Sequence, residues 1–189
     1  MCLGGEIKRF QTLDCAQFFD SVSSTWTLTK SLPYPVCGAG LSSGDIHSNF
    51  LRRVHRYDLD RDLWSEVAPM QYDRNGHSIV ALNHRIYAVG GTPSRTVLQA
   101  VEQYDPSVGR WGGVADLPVR LYRPAAVAYN GHLYASGGLT SGGSTLSTTL
   151  TLRYDPQAHT WSELASMPTA RFWYLACVGP NGLIYVIGR

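Results

Sequence analysis

Catalysis needs nucleophiles, acids, bases or metal ligands at workable spacings, and this chain offers few. Its histidines are His47, His55, His77, His84, His132 and His159. None stands at a recognised metal-ligand spacing from another or from Cys2, Cys15, Cys37 or Cys177, and the cysteines form no CxxC pair. Free thiols suit a reducing compartment. The glycine-rich stretch GLTSGGS, residues 138–144, lacks the Lys-Ser/Thr step of a phosphate loop and precedes no helical pattern. Acidic residues are frequent in turns, but no two are singled out as an acid and base pair. The expectation is therefore a non-enzyme, with no catalytic residue, no cofactor and no metal.

Arginine beside an aromatic is the pattern that does recur. Tyr72 and Arg74 stand together in APMQYDRN, Arg120, Tyr122 and Arg123 in LPVRLYRP, and Arg171, Phe172 and Trp173 in SMPTARFW. Arg95 lies in a separate loop, TPSRTVLQ. Arginine captures planar carboxylates through two parallel hydrogen bonds, and arginine and tyrosine dominate the energetics of protein interfaces. The chain carries 14 arginines and only two lysines, Lys8 and Lys30. The net charge of +2 argues against nucleic acid or an acidic membrane as the partner. The start, MCLGGEIKRF, has no long apolar run, and no Asn-x-Ser/Thr acceptor occurs, so the expected location is the cytoplasm, with the nucleus as the other default.

These loops must be held by a scaffold, and the scaffold repeats. An aromatic precedes a tryptophan by seven residues four times: Phe19 and Trp26, Tyr57 and Trp64, Tyr104 and Trp111, Tyr154 and Trp161. Six residues after each tryptophan comes Leu32, Met70, Leu117 or Met167, each beside a proline. Glycine follows a tyrosine by three residues at Gly90, Gly137 and Gly188, and the first two begin glycine doublets. Each period reads as four short strands. An apolar run such as HSIVAL leads into a tight turn, with Asn130-Gly131 and Asn181-Gly182 predicting type I′ hairpins and Asn83-His84 a weaker version. The IYAVGG-type strand follows, then a variable loop, a third strand ending at Tyr-Asp, and a fourth beginning at the tryptophan. Four-stranded antiparallel modules at this period predict an all-β radial propeller. The tyrosine should face the tryptophan across a hairpin, both rings packing between modules. The cluster Arg52, Arg53, His55 and Arg56 predicts a charged, solvated edge strand.

The glycine doublet, the Tyr-Asp pair, the tryptophan and the Met-Pro or Leu-Pro step followed by arginine resemble the kelch repeat, in that family's order and over nearly the whole chain. The resemblance implies modules at about 1–50 (degenerate), 51–91, 92–138 and 139–189, and no BTB domain among them. Kelch propellers generally have five to seven blades, most often six in the kelch-like group. About four modules predict a partial or open propeller, from a fragment or isoform, with a closed four-bladed ring as the alternative. The resemblance also implies a function. In kelch-like proteins a BTB domain binds cullin-3, and the propeller recruits a ubiquitylation substrate, with arginines of these loops contacting acidic peptide motifs. The protein-binding residues expected on that basis are Tyr72, Arg74, Arg95, Arg120, Tyr122, Arg123, Arg171 and Phe172. Spacing does not decide whether Arg120 or Arg123 matches the arginines of the other repeats. Some kelch proteins are actin scaffolds, which is the alternative function. Copper oxidases of sugars share the fold, but their set of tyrosines and histidines cannot be assembled here.

Overall fold

The computed structural model describes residues 52–58, 60–93, 96–140 and 146–188, and the backbone of strand segments at 2–3, 16–20, 25–28, 36–37 and 41–42. The described residues are all β, without a helix. Two compact units, Met1–Asp73 and Arg74–Arg189, divide the chain. In the first, β1 (Cys2–Leu3), β2 (Ala16–Asp20) and β3 (Thr25–Leu28) form one antiparallel sheet. β4 (Val36–Cys37) pairs with β5 (Leu41–Ser42), and β6 (Val54–Asp58) with β7 (Leu63–Val67). The basic cluster lies at β6 as expected: Arg52, Arg53 and Arg56 are exposed and His55 half-buried.

The second unit contains two complete four-stranded sheets. β8 (Ser78–Leu82), β9 (Arg85–Val89), β10 (Val101–Asp105) and β11 (Arg110–Gly113) are ordered β11-β10-β9-β8. β12 (Ala125–Tyr129) and β13 (His132–Ser136) are followed by a small hairpin, β14 (Leu139–Thr140) and β15 (Leu146–Ser147). β16 (Thr151–Asp155) and β17 (Thr160–Glu163) complete the order β12-β13-β16-β17. β18 (Leu175–Val178) and β19 (Ile184–Ile187) form a further hairpin. β12 packs between β8 and β18, so the first strands of successive sheets are neighbours, as in a propeller. Each doublet stands between the second and third strand of its sheet. A repeat counted from doublet to doublet therefore joins the last two strands of one sheet to the first two of the next.

Local chemistry accounts for the turns. Asn83 and His84, like Asn130 and Gly131, have positive φ at both positions, the type I′ geometry that matches strand twist. The third hairpin departs from the expectation. Gly182 is left-handed but Asn181 is not, and β18 and β19 stop at Val178 and Ile184. Pro180, with its φ preset, takes the second position of a turn closed by the Gly182 amide on the Gly179 carbonyl at 3.0 Å, which makes the loop longer. Between third and fourth strands the aspartates act as turn caps. Asp58 accepts from the amides of Asp60 and Arg61, Asp105 from Ser107, and Asp155 from Gln157 and Ala158. The Ser107 hydroxyl foremost, then its amide and Arg85, hold the Asp105 carboxyl below its ordinary range. The amides of Ala158 and Gln157 do the same for Asp155.

The positions of the aromatic pairs are in backbone register: Phe19 with Trp26, Tyr57 with Trp64, Tyr104 with Trp111 and Tyr154 with Trp161. The last three have ring centroids 5.0–5.3 Å apart. The Tyr154–Trp161 pair also joins the two complete sheets. Trp161 Nε1 donates to the Ala115 carbonyl at 2.9 Å, and Tyr87 meets Tyr154 edge-on at 6.1 Å. Leu117, Leu121, Leu133 and Leu152 belong to a buried cluster that spans both complete sheets, where each such side chain contributes roughly 1.5–3 kcal/mol. The apolar residue six after Trp64, Trp111 and Trp161 anchors its loop. The amides of Met70, Leu117 and Met167 donate to Arg52, Gln99 and Thr149 carbonyls.

The doublet glycines have a definite task. A Cβ on Gly90 would stand 2.4 Å from the Leu121 carbonyl oxygen, and one on Gly137 would stand 2.5 Å from that of Arg171. Both are left-handed, with φ of 65° and 56°. Gly131 is equally left-handed, but a Cβ there meets nothing. Gly131→Ala should therefore lose only about 1 kcal/mol, the left-handed penalty alone. Gly90→Ala and Gly137→Ala should each lose on the order of 3 kcal/mol or more, because two backbones must part. Urea denaturation of the three variants checks the difference.

Candidate functional site

The loops that lead into β12 and β18 meet the glycine doublets of the preceding sheets. The Gly91 amide donates to the Leu121 carbonyl and the Gly138 amide to that of Arg171, each at 2.8 Å. Short bridges pair Asn75 with Thr92, Tyr122 with Leu139 and Thr148 with Arg171. These bonds set the repeat alignment that spacing left open. Arg74, Leu121 and Arg171 share one position, four residues after Met70, Leu117 and Met167. Neither Arg120 nor Arg123 is the counterpart of Arg74; Leu121 is.

That alignment sorts the expected binding residues. Arg74 is 0 % exposed. Its Nε and Nη2 lie 2.9 and 2.8 Å from Glu102 Oε2, and its Nη1 donates to the Gly90 and Ala100 carbonyls at 2.6 and 2.7 Å. A guanidinium sealed in this way is out of reach of another protein, so Arg74 is corrected from a binding residue to a structural one. Arg171, half-buried, donates from Nη1 to the Gly188 carbonyl, the counterpart of the Arg74–Gly90 bond. Arg120 is exposed and uses Nη1 on the Val97 carbonyl at 2.7 Å. Arg123 lies 4.9 Å from the Tyr122 ring centroid and 3.9 Å from that of Trp173. Phe172 is exposed beside it in sequence, and Trp173 is 72 % exposed. Tyr72 is exposed in the first unit, and Arg95 lies outside the described residues. Arg120, Arg123 and Arg171 make no ion pair among the described residues, whereas Arg85 is paired with Asp105 elsewhere in the same unit.

Two partners were missed from sequence. Glu102 neutralises Arg74, and Trp173 stacks on Arg123. A signal for the first exists in the repeat alignment. Where Arg74 gives way to Leu121, Glu102 gives way to Leu152, and both leucines are fully buried. One site is thus filled by an ion pair in one sheet and by two apolar side chains in the next. Isolated buried charges are severely destabilising, whereas a matched apolar replacement is often neutral. Arg74→Leu or Glu102→Leu alone should lose about 3–5 kcal/mol, and the double variant should recover most of it. A double-mutant cycle by chemical denaturation reads this.

His77 adjoins the buried pair. Its Nδ1 is sealed from solvent without a hydrogen-bond partner, and burial first, then the Arg74 charge, lowers its pKa from 6.5 to about 4. The unfolded chain therefore takes up this proton before the folded one does. Stability is complete above pH 6.5 and falls as the pH drops through 4, by up to about 3 kcal/mol. Denaturation midpoints measured between pH 7 and 4 should fall steeply for the wild type and less steeply for His77→Gln.

Among the described residues no group of three or more His, Cys, Asp or Glu could hold a metal ion, and no helix is long and apolar enough to cross a membrane. The sheets, doublets and in-register Tyr–Trp pairs define partial kelch-type propeller architecture. The kelch motif matches residues 73–118 and 120–168, and the chain belongs to the kelch-repeat family. It is similar to Kelch-like protein 40a of Danio rerio, 46 % identical over 183 residues, covering 90 % of this chain and 29 % of that protein. Kelch-like protein 41b of Danio rerio is 31 % identical over 83 residues, or 38 % of this chain and 14 % of that one. Kelch-like protein 1 of Mus musculus is 41 % identical over 51 residues, or 27 % and 7 %. The chain thus spans under a third of the length of these relatives.

Proposed function

We propose that this chain is a non-catalytic protein-binding kelch module, the substrate-recognition part of a cullin-3 ubiquitin-ligase adaptor that works in the cytoplasm. The observation that carries the reading is the loop face around Arg120, Arg123, Phe172 and Trp173. There the Arg123 guanidinium, without a carboxylate partner among the described residues, stacks on the exposed Trp173 ring, and the exposed Arg120 and Phe172 lie in the same two loops. Uncompensated guanidinium groups at a surface attract acidic partners, and aromatic and arginine side chains supply most of the energy in protein interfaces. The similarity to kelch-like proteins supports the adaptor role. Contact with cullin-3 is assigned to a BTB domain outside these 189 residues.

Cross-linked partners of the chain, identified by mass spectrometry, test the reading. A discrete protein should be captured by the wild type, released as salt is raised, and bound about 10-fold or more weakly by Arg120→Ala/Arg123→Ala with the fold intact. That protein should gain ubiquitin in cells in a cullin-3-dependent manner. Co-sedimentation with actin filaments, with no such captured protein, would replace this reading by the scaffold alternative.

A further inference from the structure

Asparagine followed by glycine is the sequence step most open to one spontaneous reaction. The glycine amide nitrogen attacks the asparagine side-chain carbonyl carbon, ammonia leaves, and water opens the resulting succinimide ring to aspartate or isoaspartate. The chain has three such steps, Asn75-Gly76, Asn130-Gly131 and Asn181-Gly182. A glycine without Cβ admits the attack, but the backbone at the asparagine must rotate to bring nitrogen and carbon together. The surrounding structure therefore decides which step reacts.

Two of the steps are tied down. Asn75 exchanges both main-chain hydrogen bonds with Thr92, at 2.8 and 2.9 Å, and the Gly76 carbonyl accepts from the Arg123 amide at 2.7 Å. The Tyr122 ring also closes on Gly76, 2.3 Å from where a Cβ would stand. At Asn181 the side-chain Oδ1 accepts from the Leu183 amide at 3.2 Å and Nδ2 donates to the Tyr185 hydroxyl at 2.8 Å. The attacking amide there, on Gly182, is spent on the Gly179 carbonyl. Asn130-Gly131 has none of these restraints. It is the exposed tip of the β12–β13 hairpin, and a Cβ on Gly131 would meet nothing. Among the described residues neither the Asn130 side chain nor the Gly131 amide makes a hydrogen bond. His132 adds a push. Its Nδ1 lies 2.8 Å from the Asn130 main-chain oxygen. A carbonyl only accepts, so Nδ1 carries the proton and donates. That carbonyl shares one peptide group with the Gly131 amide, so the bond eases loss of the amide proton, which attack requires. The corresponding turn of the preceding sheet, Asn83-His84, has the same left-handed backbone at both positions. It carries a bulky residue in place of the glycine, and Arg85 in place of His132.

We propose that Asn130 is a modification site at which the chain converts asparagine to aspartate and isoaspartate without an enzyme, with His132 as the promoting residue. The bond from Gly131 N to Asn130 Cγ forms as the amide proton passes to solvent. The Cγ–Nδ2 bond breaks, and the leaving nitrogen takes up a proton and departs as ammonia. One water then hydrolyses either ring carbonyl, and no oxidant or reductant takes part. The product places a carboxylate beside His132, whose Nε2 already lies 3.9 Å from Asp155 Oδ2. Isoaspartate also adds a methylene to the main chain, which a two-residue turn does not accommodate. The inference is independent of the binding reading, because this turn closes the end of β12 opposite to the loop that carries Arg120 and Arg123.

The test is timed incubation of the 189-residue chain at neutral pH, folded and in urea, followed by peptide mass mapping. An endoproteinase that cleaves before aspartate but not before isoaspartate separates the two products. In the folded chain Asn130 should convert about 10-fold or more faster than Asn75 and Asn181, whose hydrogen bonds must first break. In urea the three should convert at similar rates. His132→Phe should slow Asn130 about 10-fold in the folded chain, the worth of a hydrogen bond to a developing charge, and leave its rate in urea nearly unchanged. His84→Gly should make Asn83 reactive, since it supplies the missing glycine in the same turn. Asn130 intact in the folded chain over the time in which the urea-unfolded chain converts would overturn the inference. Asn75 or Asn181 reacting as fast as Asn130 would overturn it too. An unchanged rate in folded His132→Phe would remove the role given to His132, and a faster one would show that His132 only stiffens the turn.

Discussion

Two backbones touch where the doublets Gly90-Gly91 and Gly137-Gly138 close the second strands of the two complete sheets, and the packing of sheet on sheet in the second unit depends on that contact. The carbonyls of Leu121 and Arg171 press against Gly90 and Gly137 so closely that no Cβ fits between. The following amides, on Gly91 and Gly138, donate to those same carbonyls. Each loop is therefore seated on the preceding sheet by main-chain groups, independently of its own side chains. This leaves the loop side chains free to vary. It explains how Arg74, Leu121 and Arg171 can occupy one position in a single architecture.

The variation is not arbitrary, because the position is fully buried in both complete sheets. Arg74 needs Glu102 and two carbonyls, since a guanidinium withdrawn from water requires a full set of partners. Leu121 needs only an apolar surface, and Leu152 helps to provide it. The two solutions are alternatives of similar worth in the sense that buried ion pairs and matched apolar pairs are. Mixing them would strand a charge. His77 shares the neighbourhood of the charged solution, and burial first, then the Arg74 charge, depresses its proton affinity.

The loop arginines differ in how far the scaffold consumes them. Of the loop arginines described, Arg74 is sealed inside, Arg171 is tied to Gly188, and Arg120 gives one nitrogen to Val97. The Arg123 guanidinium lies against the Tyr122 and Trp173 rings, at a backbone conformation that arginine does not favour.

Much of this was legible in the residues themselves. The seven-residue Tyr-to-Trp step requires a hairpin with the two rings opposed, since an Asp-capped turn fixes the register of the third and fourth strands. Asn130-Gly131 carries its turn type in its own backbone preferences, and Pro180 shows how one neighbour can override the same preference at Asn181-Gly182. Local periodicity thus determined strand order, turn chemistry and membership of an all-β repeat fold. It could not determine which arginine is buried. That depends on Glu102, 28 residues away along the chain, and on carbonyls brought in by a neighbouring strand. Nor could it join Arg123 to Trp173, which lie in loops ahead of different sheets. Short-range steric and hydrogen-bonding preferences are written in adjacent residues, whereas burial and charge pairing exist only once distant segments share a surface.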